Sequence, residues 1–499
     1  MVESSPVPTY IRLAEELNAQ ANRTFLPEGL SYDDVKILPQ RSVVNSPSEV
    51  SVRTHLADGI DLNIPIISAN MASVTEVEMA VLMALQGGIG ALHRELTIPK
   101  QVEMIQEIKG RHQYVIDNPP ILHPGDTVGS ARRLMAEHER GYVVLLDDEN
   151  KLHGIVTTRD LRPDFVTNDQ QLSNEIARTH EQGLITAPKD ISIDEAKRLM
   201  HRNRVEKLIL VDGEGNVGGV ITDRDIREIE RYPNATKDRN GKLQVLASVG
   251  IGTDALDRAL ASEEAGADGI IVDILHGDCR KATELITSLA SKLHIPIVGG
   301  NGGTGDETDD LLNAGAHVAK IGYGPGSFCT TQIITGTGAS QFTAVIKAAA
   351  VAFRHNKAII ADGGIRAGGD IAKAIAGGAA AVMLGGILVG VDESPGIVYR
   401  DESGRLYKIG RGSASATANQ NFAKATGAVA KRRTPQGVDA VKIGYKGPGE
   451  ELLFELMDGL KHGIANSGGN DLKSFRNKVK FERQSPASYA EGRPHINGQ

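Results

Sequence analysis

AIIADGGIRAGGDIAKAIAGGAAAVMLGG, residues 358–386, contains two apolar runs separated by a segment of helical composition. The first run is AIIADGG (358–364) and the second is AVMLGG (381–386). Continuous hydrophobicity is typical of parallel strands that are buried on both faces, and a helix between two such strands indicates a right-handed βαβ unit.

Similar runs recur along the chain. They are PIISAN (65–70), IGALH (89–93), LASVG (246–250), GIIVDI (269–274), PIVGGN (296–301) and HVAKIG (317–322). Together with the first two, they give eight candidate strands and predict an α/β fold, a closed (β/α)8 TIM barrel. A doubly wound open sheet is the alternative. Several runs end in Gly, Asn, Asp or Ser, and polar, glycine-rich strand ends are typical of the catalytic face of a barrel.

The strand pattern is interrupted between about residues 112 and 230 by an internal repeat, GIVTTRDLR (154–162) and GVITDRDIR (219–227). The repeat resembles a tandem pair of cystathionine-β-synthase-type (CBS) modules, a Bateman module, over about 112–172 and 173–230. In that family the Thr and the Asp hold a nucleotide's ribose, and the resemblance carries this role to Thr157, Asp160, Thr222 and Asp225. The alternative is that each Thr caps a helix and each Asp supports its first turn. Adenine or guanine nucleotide effectors and a role in assembly alone both stay open.

The composition is that of an ordinary globular chain of two or more domains. The 499 residues carry 55 basic and 63 acidic side chains, a net charge of −8 without a dense basic stripe, so we expect small-molecule partners and no nucleic acid. The first residues are polar and no apolar run approaches membrane-spanning length, so we expect no membrane association and a cytoplasmic protein. The two cysteines, Cys279 and Cys329, are expected to be free thiols.

The strongest local signal is KIGYGPGSFCTTQ (320–332), in which a strand leads into Gly322, Gly324 and Gly326 and then Cys329. A loop so rich in glycine brings its backbone close to an ion or ligand, and it would expose Cys329 at a strand end as a nucleophile. The alternative is a small buried thiol. The flanking glycines and hydroxyl groups favour the nucleophile.

Two glycine pairs follow the last two predicted strands. Gly363 and Gly364 end the seventh, and Gly385 and Gly386 end the eighth, where barrels commonly bind phosphate at a helix N-terminus. The alternative is two tight turns that need positive φ. Together with the cysteine loop, the pairs favour a nucleotide monophosphate as ligand.

Over nearly its whole length the chain resembles the IMP dehydrogenase/GMP reductase family. The motifs that carry the resemblance are GLSYDDVKILPQRS, PIISANMASVTE, YPNATKDRNGKLQV, the cysteine loop, IADGGI, DESPG and AEGRPH. The resemblance implies a barrel formed by 1–111 and 231–499, with the CBS insert between and a flap over about 405–445. It also implies that Cys329 attacks C2 or C6 of a purine nucleotide beside NAD, or NADP in a reductase.

The resemblance also assigns roles to individual residues. Thr331 would be the polar partner of Cys329. The substrate would be held by Met71, Asn301, Ser327, Asp362, Gly363, Gly364, Gly385, Gly386, Gly412, Ser413 and Gln436. The cofactor would be held by Asp273, Gly322, Tyr323 and Gly324. A potassium ion would be held by Gly324, Gly326 and Cys329, with Glu491 and Gly492 from a neighbouring subunit. That shared ion implies a homo-oligomer, and the family suggests a tetramer and CBS-mediated stacking into an octamer.

Two positions depart from the family pattern in opposite directions. Asn421 and Phe422 stand where a dehydrogenase flap has Arg and Tyr to activate water, and neither can act as a base. The alternative is that the pair is displaced along the flap, where Lys431, Arg432 and Arg433 lie nearby. Gln436 stands where GMP reductases usually have Glu. We therefore expect NAD-dependent oxidation of IMP to XMP, with NADPH-dependent reductive deamination of GMP or a related purine nucleotide as the alternative. A nucleotide-sensing scaffold is the third possibility.

Overall fold

The protein is described here by a computed structural model. It describes residues 7–23, 27–112, 114–138, 140–172, 176–179, 183–427 and 434–493. The chain divides into two compact units, of which the first joins residues 1–111 to 234–499 and the second is residues 112–233. Among the described helices, none combines the length and hydrophobicity needed to cross a bilayer.

The first part of the first unit contains five strands and three helices. They are α1 (Thr9–Arg23), β1 (Val35–Ile37), β2 (Thr54–Ala57), β3 (Ile60–Leu62), β4 (Ile66–Ser68), α2 (Val77–Leu85), β5 (Ile89–Leu92) and α3 (Ile98–Gly110). Gly90 in β5 lies against α2 so closely that an added Cβ would be 2.5 Å from the Ala80 Cα. Helix α2 therefore packs directly on β5.

The second unit is built twice from similar elements. The first copy has β6 (Ile121–Leu122), α4 (Val128–Glu137), β7 (Tyr142–Leu146), β8 (Leu152–Thr157) and β9 (Arg178–Thr179). The second has β10 (Thr186–Pro188), α5 (Ile193–Asn203), β11 (Lys207–Val211), β12 (Val217–Thr222) and α6 (Asp223–Arg231). Ile209 and Val220 of the second copy share one buried cluster with Tyr142, Val144 and Ile155 of the first. The two copies therefore have a common core.

The first unit resumes with the rest of the barrel. It contains β13 (Val245–Val249), α7 (Ala255–Glu264), β14 (Gly269–Asp273), α8 (Arg280–Ala290), β15 (Ile297–Gly302), α9 (Gly305–Asn313), β16 (Val318–Ile321), α10 (Thr331–Thr335), α11 (Gln341–Arg354), β17 (Ala358–Asp362), α12 (Gly368–Ala376) and β18 (Ala381–Leu384). The chain ends with β19 (Tyr399–Arg400), β20 (Leu406–Gly410), α13 (Ala416–Thr426), β21 (Val441–Gly444), α14 (Gly449–Asn466), α15 (Leu472–Lys478), β22 (Phe481–Arg483) and α16 (Pro486–Glu491).

Eight parallel strands close into a barrel in the order β13-β14-β15-β16-β17-β18-β4-β5. The barrel closes where β13 pairs with β5, with Val245 opposite Gly90. All eight are the strands predicted from the apolar runs, so the TIM barrel is confirmed. Every residue of β13, β16 and β18 is buried, as expected for strands covered by helices outside and by packed side chains inside.

The segment predicted as a flap contains β20, α13 and β21. The strands β19, β20 and β21 form an antiparallel sheet, in which Gly410 lies opposite Val441. Residues 428–433 of the flap, which include Lys431, Arg432 and Arg433, lie outside the described residues. The sheet brings the two ends of the flap together beside the barrel.

Candidate active site

The ends of the barrel strands surround a cavity of about 370 Å³. Sixteen of the residues proposed from the sequence line it. They are Met71, Asp273, Asn301, Gly322, Gly324, Gly326, Ser327, Cys329, Asp362, Gly363, Gly364, Gly385, Gly386, Gly412, Ser413 and Gln436. The structure thus brings the proposed substrate, cofactor and nucleophile positions, far apart in sequence, to one site at the carboxyl ends of the strands.

The proposed nucleophile, Cys329, is half-buried at the start of a hydrogen-bonded chain. Its thiol lies 3.1 Å from the hydroxyl oxygen of Thr331 and donates to it. Thr331, which is fully buried, in turn donates to the side-chain oxygen of Gln436 over 3.2 Å. Thr331 does not line the cavity itself, so its place is behind Cys329. This series of hydrogen bonds ends on the neutral amide of Gln436, which can orient Thr331 but cannot accept its proton.

The backbone fixes this arrangement by joining the cysteine loop to the base of the flap. The N–H of Thr330 donates to the carbonyl of Gln436 over 2.9 Å, and Val438 donates to the carbonyl of Phe328 over 3.0 Å. Gly410 faces Phe328 so closely that an added Cβ would lie 2.5 Å from the ring. Close packing at Gly410 therefore brings the flap base against the loop that carries Cys329.

The glycine turns after β17 and β18 line the cavity next to the cysteine loop. Gly363 and Gly364 have φ of +92° and +79°, conformations that side chains rarely adopt. Gly386 lies beside Ser327, whose side chain would be 3.2 Å from an added Cβ. Within the described residues, the N–H groups of Gly364 and Gly385 have no acceptor. Such free backbone donors suit the oxygens of a phosphate.

Lys320 is the main site residue that the sequence analysis missed. It lies in β16 with its side chain 2% exposed, yet it lines the cavity. Its ammonium lies 2.8 Å from the carboxylate of Asp362 and 3.4 Å from that of Asp273, and it also donates to the side-chain oxygen of Asn301. A lysine within the apolar run HVAKIG was the available signal, because buried lysines are almost always paired.

Arg94 is a second residue that the sequence analysis missed. It follows β5, lines the cavity and lies 3.8 Å from the Asp273 carboxylate. Its guanidinium also lies 4.6 Å from the centre of the Phe422 ring, at a favourable distance for a cation–π contact. Phe422 and Asn421 belong to α13, and Asn419 of the same helix lines the cavity. Helix α13 thus packs on the barrel beside Asp273.

The charges in the cavity control the ionisation of Asp273. Burial on its own would raise the pKa of Asp273, but the charges of Lys320 and Arg94 and a hydrogen bond with Asn70 outweigh it and hold the pKa below the usual value. Burial would likewise lower the pKa of Lys320, but the carboxylates of Asp362 and Asp273 raise it. Both groups are therefore charged at neutral pH.

Several proposed residues lie elsewhere. Tyr323 lies outside the cavity lining, and its ring packs edge-on against His276 with centroids 6.0 Å apart. Glu491 ends α16 and Gly492 follows it, both exposed and outside the cavity of their own chain. In the described residues, no group of three or more His, Cys, Asp or Glu side chains is arranged for a metal ion.

The four proposed regulatory residues belong to the second unit, where their partners are local. Thr157 donates to Asp160 over 2.7 Å, and Thr222 donates to Asp225 over 2.6 Å. Thr222 also caps α6 by accepting from the Asp225 N–H. Asp160 is exposed, whereas Asp225 is 8% exposed and lies 3.1 Å from Arg140. The two copies of the motif therefore have different surroundings.

Comparison with known proteins identifies the family of the chain. The sequence model described as "IMP dehydrogenase / GMP reductase domain" matches residues 29–495. Inosine-5'-monophosphate dehydrogenase of Aquifex aeolicus is 40% identical over 476 residues, covering 94% of this chain and 96% of that protein. The enzyme of the same name from Staphylococcus aureus is 39% identical over 479 residues, covering 94% and 96%.

Solved structures point to the sister enzyme. GMP reductase from Trypanosoma brucei in complex with guanosine 5'-monophosphate superposes with a TM-score of 0.89 at 34% identity, covering 95% of this chain and 99% of that one. The same enzyme in complex with guanosine 5'-triphosphate gives a TM-score of 0.78 at 31% identity, covering 94% and 100%. The chain therefore belongs to the IMP dehydrogenase/GMP reductase family of purine-nucleotide oxidoreductases.

Proposed function

We propose that the protein oxidises IMP to XMP with NAD+, through a covalent adduct at Cys329. The observation that carries this proposal is the chain from Cys329 through Thr331 to Gln436, which ends on a neutral amide. An amide can hydrogen-bond the amide edge of hypoxanthine, but it cannot protonate ammonia as it leaves C2 of guanine. The dehydrogenases that are 40% and 39% identical over nearly the whole chain support the same choice.

The reaction is divided between two steps on the same carbon. The Cys329 thiolate adds to C2 of IMP and makes this carbon tetrahedral, so that a hydride can depart. The nicotinamide cofactor, when bound, accepts that hydride. Water then replaces the sulfur at C2, which releases XMP and regenerates the thiol. The sum is IMP, NAD+ and water giving XMP, NADH and one proton.

The walls of the cavity suit the parts of the two ligands. Ser327, Gly364, Gly385 and Gly386 would bind the phosphate through a hydroxyl and backbone N–H groups. Asp362 would bind the ribose hydroxyls of the nucleotide. Asp273 would bind a cofactor ribose, and the charged carboxylate beside Lys320 and Arg94 is suited to accepting hydroxyl hydrogens.

Potassium is the expected cation of the cysteine loop. The carbonyl oxygens of Gly324 and Cys329 accept no hydrogen bond from the described residues, while that of Gly326 accepts from the Cys329 N–H over 3.0 Å. Oxygen donors of this kind suit a hard monovalent ion. Gly324, Gly326 and Cys329 would hold the ion, with Glu491 and Gly492 of a neighbouring subunit, and it would stiffen the loop.

Reductive deamination of GMP with NADPH is the second candidate, and the flap favours it. The described flap residues that line the cavity are Gly412, Ser413, Ala414, Asn419, Thr434, Gln436 and Gly437. Among these there is no Arg, Tyr or carboxylate to activate the water that IMP oxidation needs. The fold likeness to a GMP reductase bound to guanosine 5'-monophosphate supports the same candidate.

We further propose that residues 112–230 are a pair of CBS modules that bind adenine or guanine nucleotides and regulate the barrel. The repeat and its shared core support this assignment. The protein would be a cytoplasmic homotetramer, and the modules would stack two tetramers into an octamer. Size-exclusion chromatography with light scattering, with and without ATP or GTP, tests the assembly.

Absorbance of the reduced nicotinamide decides between the two reactions. Purified protein in potassium buffer receives IMP with NAD+ in one cuvette and GMP with NADPH in the other. Rising absorbance in the first establishes the dehydrogenase. Falling absorbance in the second, with ammonia released, establishes the reductase. Activity in neither cuvette would contradict both reactions and favour a sensing scaffold.

A further inference from the structure

Lys320 lies between two parts of the cavity that take different ligands in the proposed function. Asp362 ends β17, next to the glycine turn proposed for the substrate phosphate. Asp273 ends β14, beside Arg94 and Asn70. The Lys320 ammonium lies 2.8 Å from the first carboxylate and 3.4 Å from the second. One buried cation therefore contacts both carboxylates.

Asn301 completes the arrangement on the β15 side. Its side-chain N–H groups donate to Asp362 over 2.8 Å and to the carbonyl of Gly322 over 2.9 Å, while its oxygen accepts from Lys320. Asn301 and Lys320 therefore orient the same carboxylate oxygen of Asp362. Side chains fixed by several partners in this way hold a single geometry.

The charge balance makes Lys320 hard to replace. Asp273 has a second cation in Arg94, at 3.8 Å, but the only ion pair of Asp362 in the described residues is with Lys320. Both carboxylates are mostly buried, with side chains 17% and 23% exposed. Without the ammonium, two like charges would share a partly dry cavity and lose the one cation that contacts both of them, which is unfavourable.

We propose that Lys320 is a positioning residue shared by the nucleotide and dinucleotide subsites. Its one buried ammonium holds the Asp362 and Asp273 carboxylates in place, so that affinity for both ligands depends on one side chain. The inference rests on the proposed function, because that function places one ligand's ribose on each carboxylate. It requires no direct contact between Lys320 and either ligand.

Calorimetric titration of the full-length protein tests the sharing without turnover. IMP, GMP, NAD+ and NADPH are titrated separately into wild type, Lys320→Met, Asp362→Asn and Asp273→Asn. Lys320→Met should lower the affinity for the nucleotides and for the dinucleotides by about tenfold or more each. This is the loss typical of a charged hydrogen bond. Asp362→Asn should lower only the affinity for the nucleotides, and Asp273→Asn only the affinity for the dinucleotides.

Lowering the pH adds a readout that a merely structural role would not move. In Lys320→Met, Asp273 loses the largest of the charges that lower its pKa, so affinity for NAD+ should fall as the pH is lowered from about 8 to 5.5, and it should fall less in wild type. NAD+ is the ligand for this measurement because it has no phosphate monoester that titrates near pH 6. The groups facing Asp273 are Lys320, Arg94 and Asn70, and those facing Asp362 are Lys320, Asn301 and the buried Tyr32. Of these, Lys320→Met removes only the shared cation.

Two further variants keep the test decisive. Lys320→Gln retains an N–H donor without the charge and takes the place of Lys320→Met if that variant unfolds. Lys100→Met removes an exposed lysine of α3 and should leave all four titrations unchanged. Loss of affinity for one ligand class alone, or for neither, would overturn the inference. Turnover of GMP instead of IMP would overturn the proposed function but not this pattern of binding.

Discussion

The hydroxyl of Thr331 donates to the side-chain oxygen of Gln436 over 3.2 Å, across 105 positions of sequence. The same hydroxyl oxygen accepts from the Cys329 thiol over 3.1 Å. The reactive sulfur is therefore connected to the flap through one buried side chain. Because Gln436 is neutral, this connection orients groups and carries no charge into the cavity.

Replacing Thr331 with Val keeps the shape of the side chain and removes its hydroxyl. We expect kcat to fall about a hundredfold, since the Thr331 hydroxyl holds the Cys329 thiol in position and a misplaced nucleophile reacts far more slowly. Thr331→Ser, which retains the hydroxyl, should keep most of the activity. Nicotinamide absorbance with the productive substrate pair measures both variants. Equal activity of Thr331→Val and wild type would show that the hydroxyl is dispensable.

Cys329→Ala should abolish turnover while leaving nucleotide affinity within a few-fold, because the thiol supplies the covalent step and little of the binding. Cys279 provides a matched control, since it is the other free thiol and lies outside the cavity. Cys279→Ala should retain activity. Mass spectrometry after iodoacetamide should show that nucleotide protects Cys329 from alkylation. Turnover by Cys329→Ala would refute the covalent mechanism.

Gly410→Ala tests the contact between flap and cysteine loop. The new Cβ would lie 2.5 Å from the Phe328 ring, so either the loop or β20 must move. Overpacking of this kind costs about 1–3 kcal/mol, and the displaced loop should lower kcat as well. Gly444→Ala in β21 of the same sheet is the control, because nothing lies within 4 Å of its added Cβ. Urea unfolding and activity should distinguish the two variants.

The barrel was predictable because each strand corresponds to one short segment of sequence, a continuous apolar run with a polar end. GIIVDI, for example, became β14 with its first four residues buried and Asp273 at its end. The glycine turns and the cysteine loop were predictable for the same reason, because each is a short motif of consecutive residues at a strand end. Contacts between distant segments were not, since no local pattern couples Arg94 to Phe422 or Lys320 to Asp273. Tyr323 shows the same limit, because it lies between Gly322 and Gly324 in the sequence and yet lies outside the cavity lining that they form.

Exchange of potassium for lithium tests the proposed cation at the cysteine loop. Lithium is much smaller, so the fixed carbonyl oxygens of Gly324, Gly326 and Cys329 would bind it poorly. We expect kcat to fall about tenfold or more in lithium chloride at constant ionic strength, and to recover when potassium is restored. Choline chloride, whose cation cannot enter the loop, should give the same low rate. Unchanged activity in both salts would remove potassium from the mechanism.

The difference between the two repeat motifs of the second unit predicts unequal roles for Asp160 and Asp225. Asp225 is buried and paired with Arg140 at 3.1 Å, whereas Asp160 is exposed and its side chain accepts from Thr157. A ribose can reach Asp160 directly, but at Asp225 it must first displace a guanidinium. Asp160→Ala should therefore weaken ATP or GTP binding, measured by calorimetry, more than Asp225→Ala does. Asp225→Ala should instead lower the melting temperature, because it leaves Arg140 without this carboxylate. Equal losses of nucleotide affinity would mean that the two motifs act alike despite their different surroundings.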